Sequence, residues 1–356
     1  MKSPTLTIGI PTWNRADLLF GNLTDLIRQI NTLPPAERDK VEILISDNAS
    51  TDDTVTICKK IENDHSELVR VRSNGANIGF SRNIDALVRD AHGRHVLLLS
   101  DDDGLEEDAI SILLTELSKH PTAECAFVRA TAYSADLQRS VDPKALEALR
   151  RQHPQSSPSH FFSEIRSYYK HRRTLTNVCI SGCVFRRQAW ESVSLEIGLK
   201  SGSIQLYAAL RLQVMGGGII CVERPGVKYR DANASESYVN VRADGWKSGF
   251  PFVYPFDAIS AIRSCKDYYP RDIYRSFYLI CVRDMIQTLI DARAQQFTVN
   301  WDYFYQRLQS DLDPDCASQL ANFIKAIAKL DYHLILLFDR SYKLLRKAYY
   351  FLLRIR

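Results

Sequence analysis

The chain has 356 residues, 46 Lys and Arg against 42 Asp and Glu for a net charge of +4, and 45% hydrophobic and 25% charged residues. That usage excludes a disordered, collagenous or disulfide-scaffold protein and suits one large domain or two smaller ones. No apolar stretch approaches the ~20 residues of a membrane-spanning helix, since the late run Leu334 to Phe338 is stopped by Asp339 and Arg340.

Met1-Lys2-Ser3-Pro4 passes at once into the alternating strand Thr5 to Ile10, with none of the regions of a secretory leader, so a cytoplasmic location is expected. Eight cysteines are scattered without a C-x-x-C pair, several of them inside apolar runs, and read as buried thiols. Further strands are predicted at Val41 to Ser46, Val69 to Arg72, His95 to Ser100 and Glu124 to Ala130. Helices are predicted near 15–30, 52–63, 80–91 and 106–119. Two helix starts read as capping boxes, Asn14 with Asp17 and Ser50 with Asp53. The alternation gives an α/β fold with a mostly parallel sheet, in which ligands bind beyond the carboxyl ends of the strands.

Residues 136–174, with Pro143, Pro154 and Pro158 among many His, Ser and Arg, read as a surface excursion or lid with little core of its own. Order resumes with a strand at Val178 to Phe185, helices near 187–195 and Ile204 to Val214, a Gly216-Gly217-Gly218 stop and a strand at Ile219 to Glu223. Helical patterns dominate from about 250 onward. From Lys325 to the end eight Lys and Arg face two Asp, so this segment carries +6 and the remainder −2. The body therefore lacks the basic stripe of a nucleic-acid-binding protein. Phe338, Tyr342, Leu345, Tyr349 and Leu352 form a helical apolar stripe flanked by Arg340, Lys343, Lys347 and Arg354. Such a basic amphipathic helix suits an anionic membrane surface, or else packs on the protein itself. The helical carboxyl-terminal third also offers a homodimer interface.

Four polar clusters follow the predicted strands. Pro11-Thr12-Trp13-Asn14-Arg15 opens a helix, whose free N–H groups suit a phosphate or a nucleotide edge. In Ser46-Asp47-Asn48-Ala49-Ser50-Thr51-Asp52 the first carboxylate stands where it can accept from a base or ribose. Asn77-Ile78-Gly79-Phe80-Ser81-Arg82-Asn83 puts a turn glycine and an arginine at another helix start. The densest cluster, Ser100-Asp101-Asp102-Asp103-Gly104, sets three carboxylates after a wholly apolar strand. Adjacent like charges at a buried strand's mouth call for a compensating cation, and hard oxygen ligands suit Mg²⁺ or Mn²⁺ carrying a diphosphate.

Taken together, these four ordered motifs resemble the GT-A-fold, family 2 nucleotide-sugar glycosyltransferases, most clearly over residues 5–120. Ile180-Ser181-Gly182-Cys183-Val184-Phe185 with Trp190, and Arg230-Asp231 with Asn233 and Ser235, extend the likeness more loosely towards O-antigen enzymes of the abequosyltransferase type. The resemblance implies a GT-A domain over 1–235, with a nucleotide-sugar half at 1–130 and an acceptor half at 131–235, followed by a helical region over 236–356. It implies that Pro11, Thr12, Arg15, Asp47, Asn48, Gly79, Arg82, Asn83 and Asp101 line the donor site. The family's Asp-x-Asp spacing fits in two registers: Asp101 and Asp103 satisfy it internally, whereas alignment on Leu105 and Asp108 puts Ser100 first and Asp102 second, and this second register is the one favoured, with Asp102 as metal ligand and Asp103 beside it.

The resemblance further implies inverting transfer from a nucleotide-diphosphate sugar to a glycan or lipid-linked glycan in bacterial surface polysaccharide synthesis, at the inner face of the cytoplasmic membrane. Tyr168, Tyr169, Arg172 and Arg173 would then belong to an acceptor lid. The family's general-base position falls on Gln205, registered by Arg211-Leu212 and Gly216, and glutamine cannot take a proton. Asp231, Glu196 and Glu236 are the alternative acids. A sugar nucleotidyltransferase would need a Gly-rich basic loop after the first strand, which Pro11 to Arg15 does not provide, whereas a nucleotide-sugar-binding scaffold without catalysis is compatible with Gln205.

Overall fold

The computed structural model describes residues 3–172, 180–230, 250–294 and 301–314, together with 317 and 320. The chain divides into two compact units, Met1–Asn233 with Asp267–Ile273, and Ala234–Lys266 with Tyr274–Arg356. In the first unit β1 (Leu6–Thr12), β2 (Val41–Asp47), β3 (Val69–Ser73) and β4 (His95–Leu98) pair in parallel in the order β3-β2-β1-β4. The crossovers α1 (Ala16–Thr32), α3 (Thr54–Asp64) and α4 (Phe80–Asp90) connect them, with the short α2 (Pro35–Arg38) before β2.

Past β4 the sheet becomes mixed and continues β8-β6-β9-β5. Its strands are β5 (Gly104–Leu105), β6 (Cys125–Tyr133), β8 (Cys183–Arg186) and β9 (Ile219–Arg230). The strand β8 runs antiparallel to both β4 and β6, and β6 is parallel to β9. The sequence places no β5, because two residues carry no periodicity, and it locates only the first half of β9 and the last residues of its Val178 to Phe185 strand.

Alternation along β1 sends Leu6, Ile8 and Ile10 to one core. They meet Leu19, Leu23 and Ile27 of α1, Cys58 and Ile61 of α3, and Ile110 and Leu113 of α5 (Ala109–Lys119). On the other face α4 approaches so closely that a methyl group on Gly9 would stand 2.4 Å from Leu87 Cδ2. The helices α8 (Arg187–Ser192), α9 (Glu196–Leu199) and α10 (Ile204–Leu212) follow β8.

The segment 136–174 departs from the expected lid. It contains α6 (Pro143–Gln152), β7 (Ser159–Phe162) and α7 (Ile165–Arg172), and β7 pairs antiparallel with Ile219 to Val222 of β9. Polar ties hold it down: Arg150 to Glu106, and Gln155 to Asp108, which also accepts from Arg224. Tyr168 is a core residue rather than a lid residue, packed against Phe127 and Phe162 and 1% exposed. Arg172 is paired with the buried Glu223, while Arg173 lies outside the described residues. The sequence conceals this because the strand's partner lies some 60 residues away and His160 and Phe161, on opposite faces of so short a strand, are both exposed, so no alternation shows.

The cysteine expectation holds among the described residues, where Cys58, Cys125, Cys183, Cys221, Cys265 and Cys281 are buried and unbridged. The second unit is built from α11 (Phe250–Ser264), most of α12 (Arg271–Ala294) and α13 (Trp301–Asp311). Phe256 meets Phe304 with ring centroids 5.4 Å apart, and Arg307 reaches Asp257 at 2.9 Å and Asp311 at 2.5 Å. Among the described residues no helix is long and apolar enough to cross a membrane. The expected amphipathic helix at 338–352 lies outside the described residues.

One buried group makes the fold pH-sensitive. His95 at the start of β4 is 1% exposed, and burial, reinforced by Arg94 and Arg186, pushes its imidazole down to about 4. The unfolded chain therefore binds a proton between about pH 6.5 and 4 that the folded chain does not, so His95 costs stability as pH falls through that window. We expect His95→Leu to be more stable than the parent at pH 4.5 by an amount of order 2 kcal/mol, relative to their difference at pH 7.5. Paired denaturant titrations at the two pH values measure it, and an unchanged difference would show that the folded imidazole titrates as it does in the unfolded chain.

Candidate active site

Parallel pairing brings Thr12 opposite Asp47 at the carboxyl edge of β1 and β2. The loops beyond are stitched to each other rather than capped locally. Asn14 has a left-handed backbone, φ 54°, which turns it away from α1, and its Oδ1 accepts from Thr51 N at 2.8 Å. The first amides of α1 are served from the next crossover: Asn14 N donates to Ser50 Oγ at 2.9 Å, Arg15 N to Thr54 Oγ1 at 2.9 Å and Ala16 N to Asp52 Oδ2 at 3.3 Å. Both predicted capping boxes are thus replaced. Arg15 is the N-cap of α1 and Asp53 that of α3, neither with a side-chain cap bond. The physical gain is that three amides at the start of α1, with Thr51 N from the facing loop, tie the two loops together at the sheet edge.

Each of the other donor-site candidates has a definite place. Asp47, 1% exposed, accepts from Ser50 N at 3.2 Å. Asn48 is a brace: its Oδ1 accepts from Asn74 Nδ2 and Ile78 N, both at 3.0 Å, and its Nδ2 donates to Asn77 Oδ1. Asn83 is likewise buried, exchanging bonds with Ser46 and accepting from Asn74. Gly79, the N-cap of α4, has φ 84°, a conformation open to glycine at little cost. Arg82 is exposed in the first turn of α4, and Pro11 is buried in β1.

The acid loop is where distant parts of the first unit converge. Asp101 accepts from Thr12 Oγ1 at 2.7 Å and stands 3.8 Å from Arg15 Nε. Asp102 accepts from Ser100 Oγ at 2.5 Å. Asp103 has both oxygens on protein donors, Ser181 Oγ at 2.5 Å and Arg230 N at 3.0 Å. Arg230 also donates through Nε to Asp102 O at 2.6 Å and through Nη2 to Asn22 Oδ1 at 3.1 Å. Ser181 is aimed by Gly182, whose φ of 92° and tight seat, with a methyl group only 2.8 Å from Val128 O, admit no side chain. Ser181 and Arg230 stand in the sequence motifs, but nothing local in either motif shows that they grip this loop.

All three carboxylates are buried, each 7% exposed or less. Burial, with Asp102 alongside, pushes Asp101 up to about 7 against the pull of Thr12 and Arg15. The same causes push Asp103 up to about 6 against Ser181 and Arg230. A loop of carboxyls reluctant to ionise is one that a cation would relieve. Among the described residues no group of three or more His, Cys, Asp or Glu is arranged to hold a metal by protein ligands alone.

Of the candidates for acceptor activation, two lie among the described residues. Gln205 lies in the first turn of α10 and is 5% exposed. Glu196, its side chain 77% exposed, pairs with Lys200 on α9. Asp231 and Glu236 lie outside the described residues.

Comparison with known proteins agrees with this geometry. Over 108 residues the chain is 37% identical to the abequosyltransferase RfbV of Salmonella typhimurium, covering 30% of this chain and 31% of that protein. Over 147 residues it is 25% identical to the GalNAc(5)-diNAcBac-PP-undecaprenol beta-1,3-glucosyltransferase of Campylobacter jejuni, covering 40% and 44%. The matches thus span less than half of these relatives. In fold, S. aureus TarS 1-349 in complex with UDP superposes with a TM-score of 0.61 at 12% identity, over 95% of this chain and 91% of that one. The mannosyltransferase PcManGT of Pyrobaculum calidifontis, in complex with GDP-Man and Mn²⁺, gives 0.52 at 15% identity, over 94% and 83%. The sequence model of Glycosyl transferase family 2 matches residues 7–192, more than half of the chain and every strand-end motif described above, so the chain belongs to that family and is a glycosyltransferase of GT-A-like fold.

Proposed function

We propose that the chain transfers a sugar from a nucleotide-diphosphate sugar to a glycan or lipid-linked glycan acceptor in bacterial surface polysaccharide assembly, with inversion and with Mg²⁺ or Mn²⁺. The observation that carries this reading is the buried acid loop, held by Thr12, Arg15, Ser181 and Arg230 beside the strand end that bears Asp47. The relatives named for abequosyl transfer and for an undecaprenol-linked glycan support the acceptor class, and the neighbours bound to UDP and to GDP-Man with Mn²⁺ support the donor.

In this reading Asp47 accepts from the nucleotide base, while Pro11, Thr12 and Arg15 line the nucleotide and Gly79 and Arg82 close its rim. The loop fits a divalent ion of the kind that takes one or two carboxylates and leaves its other positions to diphosphate oxygens and water. Asp102 would hold it, with Asp103 beside it keeping the loop in register through Ser181 and Arg230. Bound there, the ion neutralises charge on the departing diphosphate. Thr12 and Arg15 hold Asp101 against the strand end, so the loop is set before the donor arrives.

An acceptor hydroxyl attacking the anomeric carbon must lose its proton, and Gln205 cannot take it. Asp231 directly follows Arg230 in the chain and is our choice for that role over the surface-paired Glu196. A binding scaffold without turnover is the second reading, favoured by Gln205 alone. The basic helix expected at the carboxyl end would hold the enzyme at the anionic inner face of the cytoplasmic membrane, close to a lipid-linked acceptor.

Melting curves with UDP-, GDP-, CDP- and dTDP-sugars, each with and without Mn²⁺, test the donor reading. One donor class should raise the melting temperature in a metal-dependent way, since a ligand of the folded state stabilises by mass action. No shift with any nucleotide would sink it, and a shift without turnover would establish the scaffold.

A further inference from the structure

Between β3 and α4 the chain makes a turn over 74–79, whose second half carries the glycine motif already described. Its first residue, Asn74, stands outside the motifs read from the sequence. Side chains from the end of β2, from β3 and from α4 nevertheless meet on it. Its backbone N–H donates to Asp47 O at 2.9 Å, one rung beyond the last pair of the β2–β3 ladder. Its Nδ2 donates to Asn48 Oδ1 at 3.0 Å and to Asn83 Oδ1 at 2.9 Å, and its Oδ1 accepts from Arg72 Nη2 at 3.0 Å.

Both amide hydrogens and the oxygen of Asn74 are therefore engaged, and the partners force their orientation. Asn48 Oδ1 also accepts from Ile78 N at 3.0 Å, and a backbone N–H can bond only to the oxygen of a side-chain amide. Asn83 Nδ2 donates to Ser46 O at 2.9 Å, and a carbonyl can bond only to the amide nitrogen. That leaves Asn83 Oδ1 to Asn74 and to Ser46 Oγ, the latter at 2.7 Å. Arg72, a donor only, reaches Ser46 Oγ through Nη1 at 2.6 Å as well as Asn74 Oδ1. Ser46, Arg72, Asn74 and Asn83 thus close a ring of side chains. Asn48 fastens the next turn to that ring, because its Nδ2 donates to Asn77 Oδ1 at 2.9 Å, which also accepts from Gly79 N at 2.9 Å.

The two oxygens that face the Asn74 nitrogen cannot give way. If the Asn48 amide turned over it would lose Ile78 N, and if the Asn83 amide did so it would lose Ser46 O. In Asn74→Asp an oxygen of nearly the same size would stand against both of them. The acid loop lies outside this network, since its carboxylates are held by Thr12, Arg15, Ser181 and Arg230.

We propose that Asn74 is a positioning residue of the nucleotide-base pocket, holding the rim beside Asp47 in its binding shape through Asn48 and the 77–79 turn. The inference rests on the donor reading above and adds to it a residue that acts on the base only through others. A rim already in place need not be ordered at the expense of binding.

Isothermal titration of the full chain tests it, with UDP, GDP, CDP, dTDP and inorganic diphosphate as probes, each in the presence of Mn²⁺. The parent should bind one nucleotide best. Asn74→Asp should bind that nucleotide about 10-fold more weakly, the scale of one or two lost hydrogen bonds, while inorganic diphosphate changes by no more than about 2-fold. The spread of affinities across the four bases should narrow as well, which a loss of stability alone does not produce. Asn74→Ala removes both donors without adding a charge; it should behave alike, and it decides the matter should Asn74→Asp fail to fold. Undiminished nucleotide binding in the variants overturns the proposal, and so does an equal loss for nucleotide and inorganic diphosphate with the spread unchanged. A parent that binds none of the five probes sinks the donor reading and this proposal with it, an outcome distinct from any seen in the variants alone.

Discussion

Asp102→Ala is expected to abolish the Mn²⁺-dependent part of the nucleotide melting shift and to lower turnover by roughly three orders of magnitude, the scale on which lost electrostatic stabilisation of a leaving group acts. The reason is positional. Asp101 is occupied by Thr12 with Arg15 nearby, and Asp103 has both oxygens on Ser181 and Arg230, so these two define the loop's shape. Asp102 takes a bond from Ser100 within the loop itself and carries the carboxylate aligned with the family's metal position. The variant should fold, because it removes one of three crowded buried charges. Retained metal dependence in Asp102→Ala, together with its loss in Asp103→Ala, would move the ligand by one residue. Retention in both would remove the metal from the proposal.

The second large effect is on stability, with the opposite sign from most active-site changes. Asp101 has its carboxyl pushed up to about 7, whereas an unfolded chain ionises it near 4. The folded state therefore binds the extra proton between those values, and stability falls as pH rises from about 4 to 7. Asp101→Asn keeps an oxygen for Thr12 and removes the charge, so at pH 8 without metal it should be more stable than the parent by about 4 kcal/mol, relative to their difference at pH 4. At pH 4, where the parent carboxyl is already protonated, the two should agree. Because His95 works in the opposite direction over part of this range, only variant-minus-parent differences are informative. A flat difference from pH 4 to 8 would show that Asp101 is ionised throughout. The same protonation sets the pH dependence of metal binding, which should strengthen as pH rises through 6 to 7.

Much of the first unit was legible because its signals are local. The alternation in Thr5 to Ile10, the apolar run before Ser100 and the helix-period stripes between them place β1, β4 and their crossovers within a few residues. The family likeness was legible for the same reason, since its motifs are contiguous turns at strand ends. Less visible was everything built by pairing at a distance. No local pattern shows that Ser50, Asp52 and Thr54 serve the first amides of α1, so the apparent capping boxes misled. Nor does Ser159 to Phe162, short and half-exposed, announce a strand whose partner is β9.

The site divides along the same line. Sequence alone determined which residue types follow each strand, and hence the likeness to nucleotide-sugar glycosyltransferases that Asp47 and the three adjacent carboxylates carry. Tertiary structure decided what those carboxylates are. Ser181 and Arg230 reach Asp103 across 78 and 127 residues of chain, Thr12 reaches Asp101 across 89, and burial then lifts two of the carboxyls towards neutrality. A carboxylate's affinity for a proton or a metal depends on the dielectric and the charges around it, and those are supplied by strands that only the folded sheet brings together.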